Sequence, residues 1–194
     1  MSDEKVRGLC QTLLASGKYR YYDVTYELKQ AKGWRPHERN LFSRPDAATL
    51  LPYDAGRQCV LLTRQFRLGA YMNDKTQGLL EACAGTIDPG EAAEACMRRE
   101  AMEEMGLRVD AMDFLFEGFV SPAATTEKLH FFVAPYSPEA RVADGGGMEE
   151  EGEEIEIVEL PFADVLREAK AGAIRDVKTL TLLYWLEASG RMQG

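Results

Sequence analysis

Histidine is nearly absent from this chain: His37 and His130 are the two among 194 residues. That excludes a histidine-rich metal site. Cysteine is also sparse, and Cys10, Cys59, Cys83 and Cys96 show no metal-binding spacing, which points to a reduced, cytoplasmic protein. No apolar run is long enough to span a bilayer, and the opening MSDEKVRGLC lacks the apolar centre of a signal peptide. Positive charge is in deficit as well. Lys and Arg number 23 against 32 Asp and Glu, a net charge of -9 with a pI near 4.9. Such a surface offers nucleic acid or an acidic membrane no general attraction, so an anionic ligand has to be held by local cations or by a bound metal.

What is present describes an ordinary soluble globular chain, 45% hydrophobic and 28% charged. Its length suits one well-buried core with an extension. Residues 1–44 read as that extension. In Tyr19 to Leu28, Tyr22, Val24, Tyr26 and Leu28 fall on one face of a strand, and Lys32-Gly33 predicts a hairpin turn into a second strand, Trp34 to Phe42. Val6 to Leu14 is compatible with a strand or with a short helix. This aromatic segment is too short to bury itself, so it needs the rest of the chain or a second copy.

Residues 45–194 read as the main domain. Strands are predicted at Ala47 to Tyr53, Cys59 to Phe66, Gly78 to Ala84, Phe114 to Val120, Leu129 to Tyr136 and Ile155 to Leu160. Helices are predicted from Phe162 to Ala171 and from Val177 to Ser189, the latter with Leu180, Leu183, Tyr184 and Leu186 as core residues. Many strands with few intervening helices argue for a mixed sheet flanked by helices.

The most informative stretch is GTIDPGEAAEACMRREAMEEMGL, Gly85 to Leu107. A turn at Asp88-Pro89-Gly90 precedes a helix-forming run from Glu91 to Met105, which stops at Gly106. Glu100, Glu103 and Glu104 fall within an arc of roughly 100° on that helix. Ala95, Ala101, Met102 and Met105 read as its core face. Carboxylates at these spacings repel by a few tenths of a kcal/mol per pair, about what an i,i+4 ion pair would gain. A cation above the face removes the repulsion, and hard oxygen ligands suit Mg²⁺ or Mn²⁺.

The stretch resembles the Nudix box, G-x5-E-x7-R-E-U-x-E-E-x-G-U with U bulky or aliphatic. Gly85, Glu91, Arg99, Glu100, Glu103, Glu104, Gly106 and Leu107 occupy its fixed places, with the small Ala101 at the first U. The resemblance implies an α/β/α sandwich around a mixed β-sheet, here with an N-terminal antiparallel β extension. It also implies hydrolysis of a diphosphate linked to another moiety. Arg64 to Arg67, Leu80 to Gly85 and Ser121 to Glu127 resemble the ADP-ribose and nucleotide-sugar pyrophosphatase branch, although Ala123-Ala124 stands where that branch has glycine after Ser-Pro. Gly145 to Phe162 and Ile174 to Thr179 look most like the GDP-mannose pyrophosphatases within it.

By position, the resemblance implies a Mg²⁺ site, with Mn²⁺ able to substitute, made by the carbonyl of Ala84 with Glu100 and Glu104, and with Glu103 close by. Glu153, two places before Ile155, would be base or extra metal ligand, with Glu151 its substitute if the loop register shifts; three glycines ahead of the acidic run permit a mobile loop. Glu127 is as compatible with catalysis as with capping its loop. Arg67 would contact the diphosphate beside Gly85, with Lys178 near the same pocket, though Arg67 reads equally well as a surface residue. Tyr19, Glu38 and Arg39 align with residues that reach the substrate from the second subunit of a homodimer, and Tyr19 is also compatible with a packed aromatic. Arg99 reads as structural, orienting Glu91 or Glu100.

The expected reaction is a nucleoside diphosphate sugar, GDP-mannose or ADP-ribose, plus water giving a nucleoside monophosphate and a sugar phosphate. Two other readings compete: hydrolysis of nucleoside triphosphates or dinucleoside polyphosphates, and a non-catalytic nucleotide-sugar sensor. The aromatic extension argues against the first, and the complete set of box glutamates against the second.

Overall fold

A computed structural model describes residues 4–147 and 154–193. The chain divides into two units, residues 1–46 with 118–129, and residues 47–117 with 130–194.

In the first unit, β1 (Val6–Ser16), β2 (Arg20–Gln30) and β3 (Gly33–Ser43) form an antiparallel sheet in that order. The segment left open between strand and helix is therefore a strand, and its pairing with β2 shifts register twice, between Arg7 and Cys10 and between Leu13 and Ala15. Gln30 pairs with Gly33, so the hairpin turn is Ala31-Lys32, one residue earlier than the sequence suggested. The alternation in β2 places Val24 inside, and it is the one buried residue among the three strands.

The larger sheet has seven mixed strands. Its path runs β10 (Ile155–Pro161), β5 (Cys59–Gln65), β4 (Ala47–Asp54), β9 (Lys128–Pro135) and β8 (Asp113–Phe119). The single strand expected over 78–84 is two, β6 (Leu79–Glu81) on β5 and β7 (Cys83–Thr86) on β4, broken at Ala82. Among the described residues four α-helices accompany it: α1 (Leu68–Asp74), α2 (Ala93–Met105), α3 (Phe162–Lys170) and α4 (Val177–Ser189). The short α1 was not legible in the sequence, and it buries none of its residues.

Strand β4 buries every residue from Ala47 to Tyr53, as a strand covered on both faces must. Alternate positions serve the two layers. Ala48, Leu50, Leu61 and Cys83 pack with Cys96, Met97, Ala101 and Met105 of α2. Val60 and Leu62 take the opposite pleat, the side on which α4 meets β4 and buries Leu182, Leu183 and Leu186.

Two core assignments change. On α2, Cys96 and Met97 are buried, whereas Ala95 is exposed and Met102 half-buried, because the helix docks rotated about its axis, with Met97, Ala101 and Met105 toward the sheet. On α4, Leu182 is buried, whereas Leu180 is half-buried and Tyr184 exposed. A phenol can hold its ring on the surface with the hydroxyl in water, so apolar periodicity overrates it.

Helix α2 ends at Gly106, whose φ of 62° lets Leu107 N–H reach Ala101 O at 2.9 Å. A Cβ there would stand 2.0 Å from Ala143 O. The Gly-rich segment 145–147 packs on this helix end: Gly146 N–H donates to Glu104 O at 2.9 Å and Gly147 N–H to Glu103 O at 3.1 Å. Gly145 to Gly147 thus serve close approach and docking, while the acidic run expected to move after them falls on 148–153, outside the described residues. Ile155 N–H returns to Gly146 O at 3.1 Å.

Candidate active site

Strand β7 runs antiparallel to β4, Ala84 opposite Thr49 and Gly85 opposite Ala48. Thr49 Oγ1 donates to Cys83 O at 3.0 Å, which holds the strand in place. Glu100 of α2 lies directly over Gly85. A Cβ on residue 85 would meet Glu100 Oε1 at 1.9 Å, so only glycine leaves room for the carboxylate against the strand.

Arg99 organises the acidic face. Its Nε and Nη2 grip Glu91 at 3.1 Å each, and its Nη1 donates to Glu100 at 2.7 Å and Glu103 at 3.1 Å. Nη2 also donates to Thr86 O, tying helix to strand. The hydrogen bond from Arg99 holds Glu91 below its ordinary carboxylate range. Glu91 in turn, with Glu100 assisting, holds the guanidinium above its own. Glu91 also accepts from Asp88 N–H, closing the turn before the helix. One cation therefore faces Glu91, Glu100 and Glu103, and Glu104 adds a carboxylate that is 3% exposed.

Beneath these acids sit two buried thiols. Burial, with the charge of Glu104, pushes Cys83 well above the ordinary thiol range. Burial and the charge of Glu100 push Cys96 up to about 12. Both stay neutral, as small apolar residues.

The residues present fit a divalent cation by chemistry. Glu100, Glu103, Glu104 and the carbonyl of Ala84 are hard oxygen donors, and the space above Gly85 is kept clear of any side chain of its own. Among the described residues no three acidic, histidine or cysteine side chains already converge on one point. Arg99 occupies oxygens of Glu100 and Glu103, so a metal would draw these side chains into a new arrangement.

A second cluster contains an acid that the sequence reading missed, Glu81. Arg67 and Lys178, expected as substrate-binding cations, both bond to Glu81, which is 3% exposed. Arg67 reaches it through Nη2 at 2.7 Å and Nε at 3.1 and 3.2 Å, Lys178 Nζ at 3.2 Å. Lys178 also pairs with Asp176 at 2.9 Å, and Asp176 caps α4 by accepting from Thr179 N–H. Thr179 Oγ1 accepts from Ala82 N–H at 2.7 Å. Glu81 carries a signal that could have been read: a lone acid inside the apolar run Leu79 to Cys83 has to be buried with a cation.

The remaining candidates belong to the first unit. Glu127 pairs with Arg44 at 3.2 Å, and Arg44 lies over the Tyr19 ring at 5.0 Å. Tyr19 also meets Phe42 edge to face. Glu38 and Arg39 are exposed on β3, where Arg39 donates to Glu38 O. Glu153 and Glu151 lie outside the described residues.

A glutamate-rich helix packed over a glycine on a mixed sheet, with helices on both faces, defines a class of α/β/α sandwich proteins. Residues 43–183 match the NUDIX domain, and the chain belongs to that family. Among curated relatives, the GDP-mannose pyrophosphatase of Klebsiella pneumoniae is 44% identical over 174 residues, covering 89% of this chain and 86% of its own. That of Escherichia coli O139:H28 is 41% identical over 182 residues, covering 93% and 94%. A crystal structure of an ADP compounds hydrolase superposes with a TM-score of 0.72 at 23% identity, covering 98% of this chain and 99% of that one, which speaks for the fold.

Proposed function

We propose that the protein is a Mg²⁺-dependent hydrolase that splits the diphosphate of a nucleoside diphosphate sugar into a nucleoside monophosphate and a sugar phosphate. GDP-mannose and ADP-ribose are the leading substrates. The observation that carries this reading is the acidic face of α2, where Arg99 bonds to Glu91, Glu100 and Glu103 and the bare Gly85 makes room for the Glu100 carboxylate. The relatives' names favour GDP-mannose.

Glu100, Glu104 and the Ala84 carbonyl would hold the metal, with Glu103 beside them. When bound, the metal neutralises diphosphate charge and lowers the pKa of coordinated water. Arg99 gathers Glu91, Glu100 and Glu103 on one side of α2, so the acids that would turn toward a metal already stand together. Arg67 and Lys178 receive the diphosphate beside Gly85. A further carboxylate accepts the proton of the attacking water, and Glu153 is the choice, with Glu151 as substitute and Glu127 as the other candidate. The described residues on either side of 148–153 support it: Gly147 bonds to Glu103 O, and Ile155 to Gly146 O.

The same reading makes the protein a homodimer in which Tyr19, Glu38 and Arg39 serve the partner's substrate. Its support is the apolar surface of the three-stranded sheet, where Leu9, Leu13 and Leu14 are more than half exposed. It also places the protein in the cytoplasm, in keeping with four free cysteines. No described helix is long and apolar enough to cross a membrane.

The test is a panel of nucleoside diphosphate sugars, nucleoside triphosphates and dinucleoside polyphosphates with Mg²⁺, scored by released phosphomonoester. Preferential turnover of a diphosphate sugar is expected. Turnover confined to the triphosphates or polyphosphates, or none at all, overturns the reading.

A further inference from the structure

We infer that Glu81 is a positioning residue: from beneath, it holds Arg67 and Lys178 side by side as one paired cation for the substrate's diphosphate. This rests on the reading of the substrate as a nucleoside diphosphate sugar.

The cluster is layered by exposure. The Glu81 side chain is 3% exposed, Lys178 15% and Arg67 40%. An anion arriving from solvent therefore meets the two cations, while the carboxylate that gathers them stays out of reach. The reverse layering, acid outside and cations beneath, would repel a diphosphate.

The two cations reach this place from distant parts of the chain. Arg67 immediately precedes α1, and Lys178 lies in the first turn of α4. They repel each other, and the oxygen they share, Glu81 Oε2, offsets that repulsion with bonds of 2.7 Å to Arg67 and 3.2 Å to Lys178. Arg67 is also gripped through Nε by both Glu81 oxygens, which fixes the plane of the guanidinium as well as its position.

A purely structural tie explains the arrangement less well. A buried ion cluster is weak support for stability, because desolvation cancels much of the attraction and apolar packing does as well. The tie between strand and helix already exists without charge, through the Ala82 N–H to Thr179 Oγ1 bond. Lys178 stands in a first helical turn, where the dipole favours anions. Asp176 and Glu81 compensate it there. Its place is explained if the same helix end and the same ammonium are to face an anion. Along the chain Glu81 is three residues from Ala84, so β6 and β7 deliver the paired cation and the acidic helix to neighbouring points of one strand path.

The experiment uses the full chain with Mg²⁺ and a methylene-bridged GDP-mannose analogue, which binds without turnover. Calorimetry gives its Kd for wild type, E81Q, E81D, R67A and R67A/E81Q. KM and kcat for GDP-mannose, affinity for Mg²⁺ alone and Tm are measured alongside. Glutamine keeps the shape and one acceptor but removes the charge. E81Q is expected to raise Kd and KM together by roughly tenfold, with kcat within about threefold, the pattern of lost uniform binding. Mg²⁺ affinity should be unchanged. E81D keeps the charge on a shorter arm and should fall between wild type and E81Q. On the R67A background, E81Q should cost clearly less than on wild type, since part of what it positions is gone.

A lower Tm for E81Q with wild-type Kd and KM makes Glu81 a structural tie and overturns the inference. A loss confined to kcat does so as well, because Glu81 would then act in the reaction itself. Should E81Q fail to fold, an R67A that folds and binds the analogue like wild type is equally decisive against it. A wild type that neither binds the analogue nor cleaves any diphosphate sugar removes the substrate reading, and this role falls with it. A wild type that binds, with E81Q indistinguishable from it, removes only the role of Glu81.

Discussion

Arg99 and Arg67 each grip a glutamate with two nitrogens, yet they leave opposite surroundings behind. Arg99 bonds to Glu91, Glu100 and Glu103, with Glu104 on the same helix, so one guanidinium is shared by three carboxylates. Arg67 shares a single buried acid with Lys178, and both cations lie on the more exposed side of that acid. The contrast teaches how a protein of net charge -9 can handle an anionic substrate. It does not need a basic surface. On the proposed reading it uses an acidic helix for a metal and a small paired cation, built around the consecutive strands β6 and β7.

The sharpest way to break this contrast is to weaken the acidic side. Glu104→Gln keeps the packing of a residue 3% exposed but removes an anionic oxygen. It should leave Tm near wild type and lower kcat by roughly 100-fold or more, the scale of losing one group that stabilises transition-state charge. Near-normal turnover of the purified variant with Mg²⁺ would remove the acidic helix from metal binding.

Next comes the proton acceptor. Glu153→Gln should depress kcat by about 10²–10⁴-fold with little change in KM, as loss of a general base does. Glu149→Gln, from the same acidic run, is its control and should stay near wild type. Equal, small effects from both would reduce the run to a solvated surface.

The cationic side should respond differently. Arg67→Ala is expected to raise KM about tenfold, equivalent to about 1.4 kcal/mol, and to spare kcat. If KM and kcat both stay unchanged, Arg67 belongs to the surface and the contrast collapses on that side.

The smallest effect per site concerns the first unit. Leu13→Glu, placed on a strand that is exposed nearly throughout, should leave Tm almost unchanged but shift the protein from dimer toward monomer in light scattering. A wild type that is monomeric and fully active at working concentration would exclude the homodimer outright.

Much of this protein is determined by local sequence. Strand alternation located β2 and β3, and the offsets from Gly85 to Leu107 identified the helix, its glycine stop and its acidic face, because backbone periodicity and capping depend on near neighbours. The family followed from the same residues. Other features required the fold. That Cys96 and Met97, not Ala95 and Met102, face the sheet depends on how α2 rotates as it docks. That Gly145 to Gly147 bind the end of α2 depends on two backbones meeting that are some forty residues apart. Most of all, the joining of Arg67 and Lys178 on Glu81 is a tertiary event. No spacing rule links residues 67, 81 and 178, and only the pairing of β6 with β5 and the seating of α4 on Ala82 bring their charges into one place.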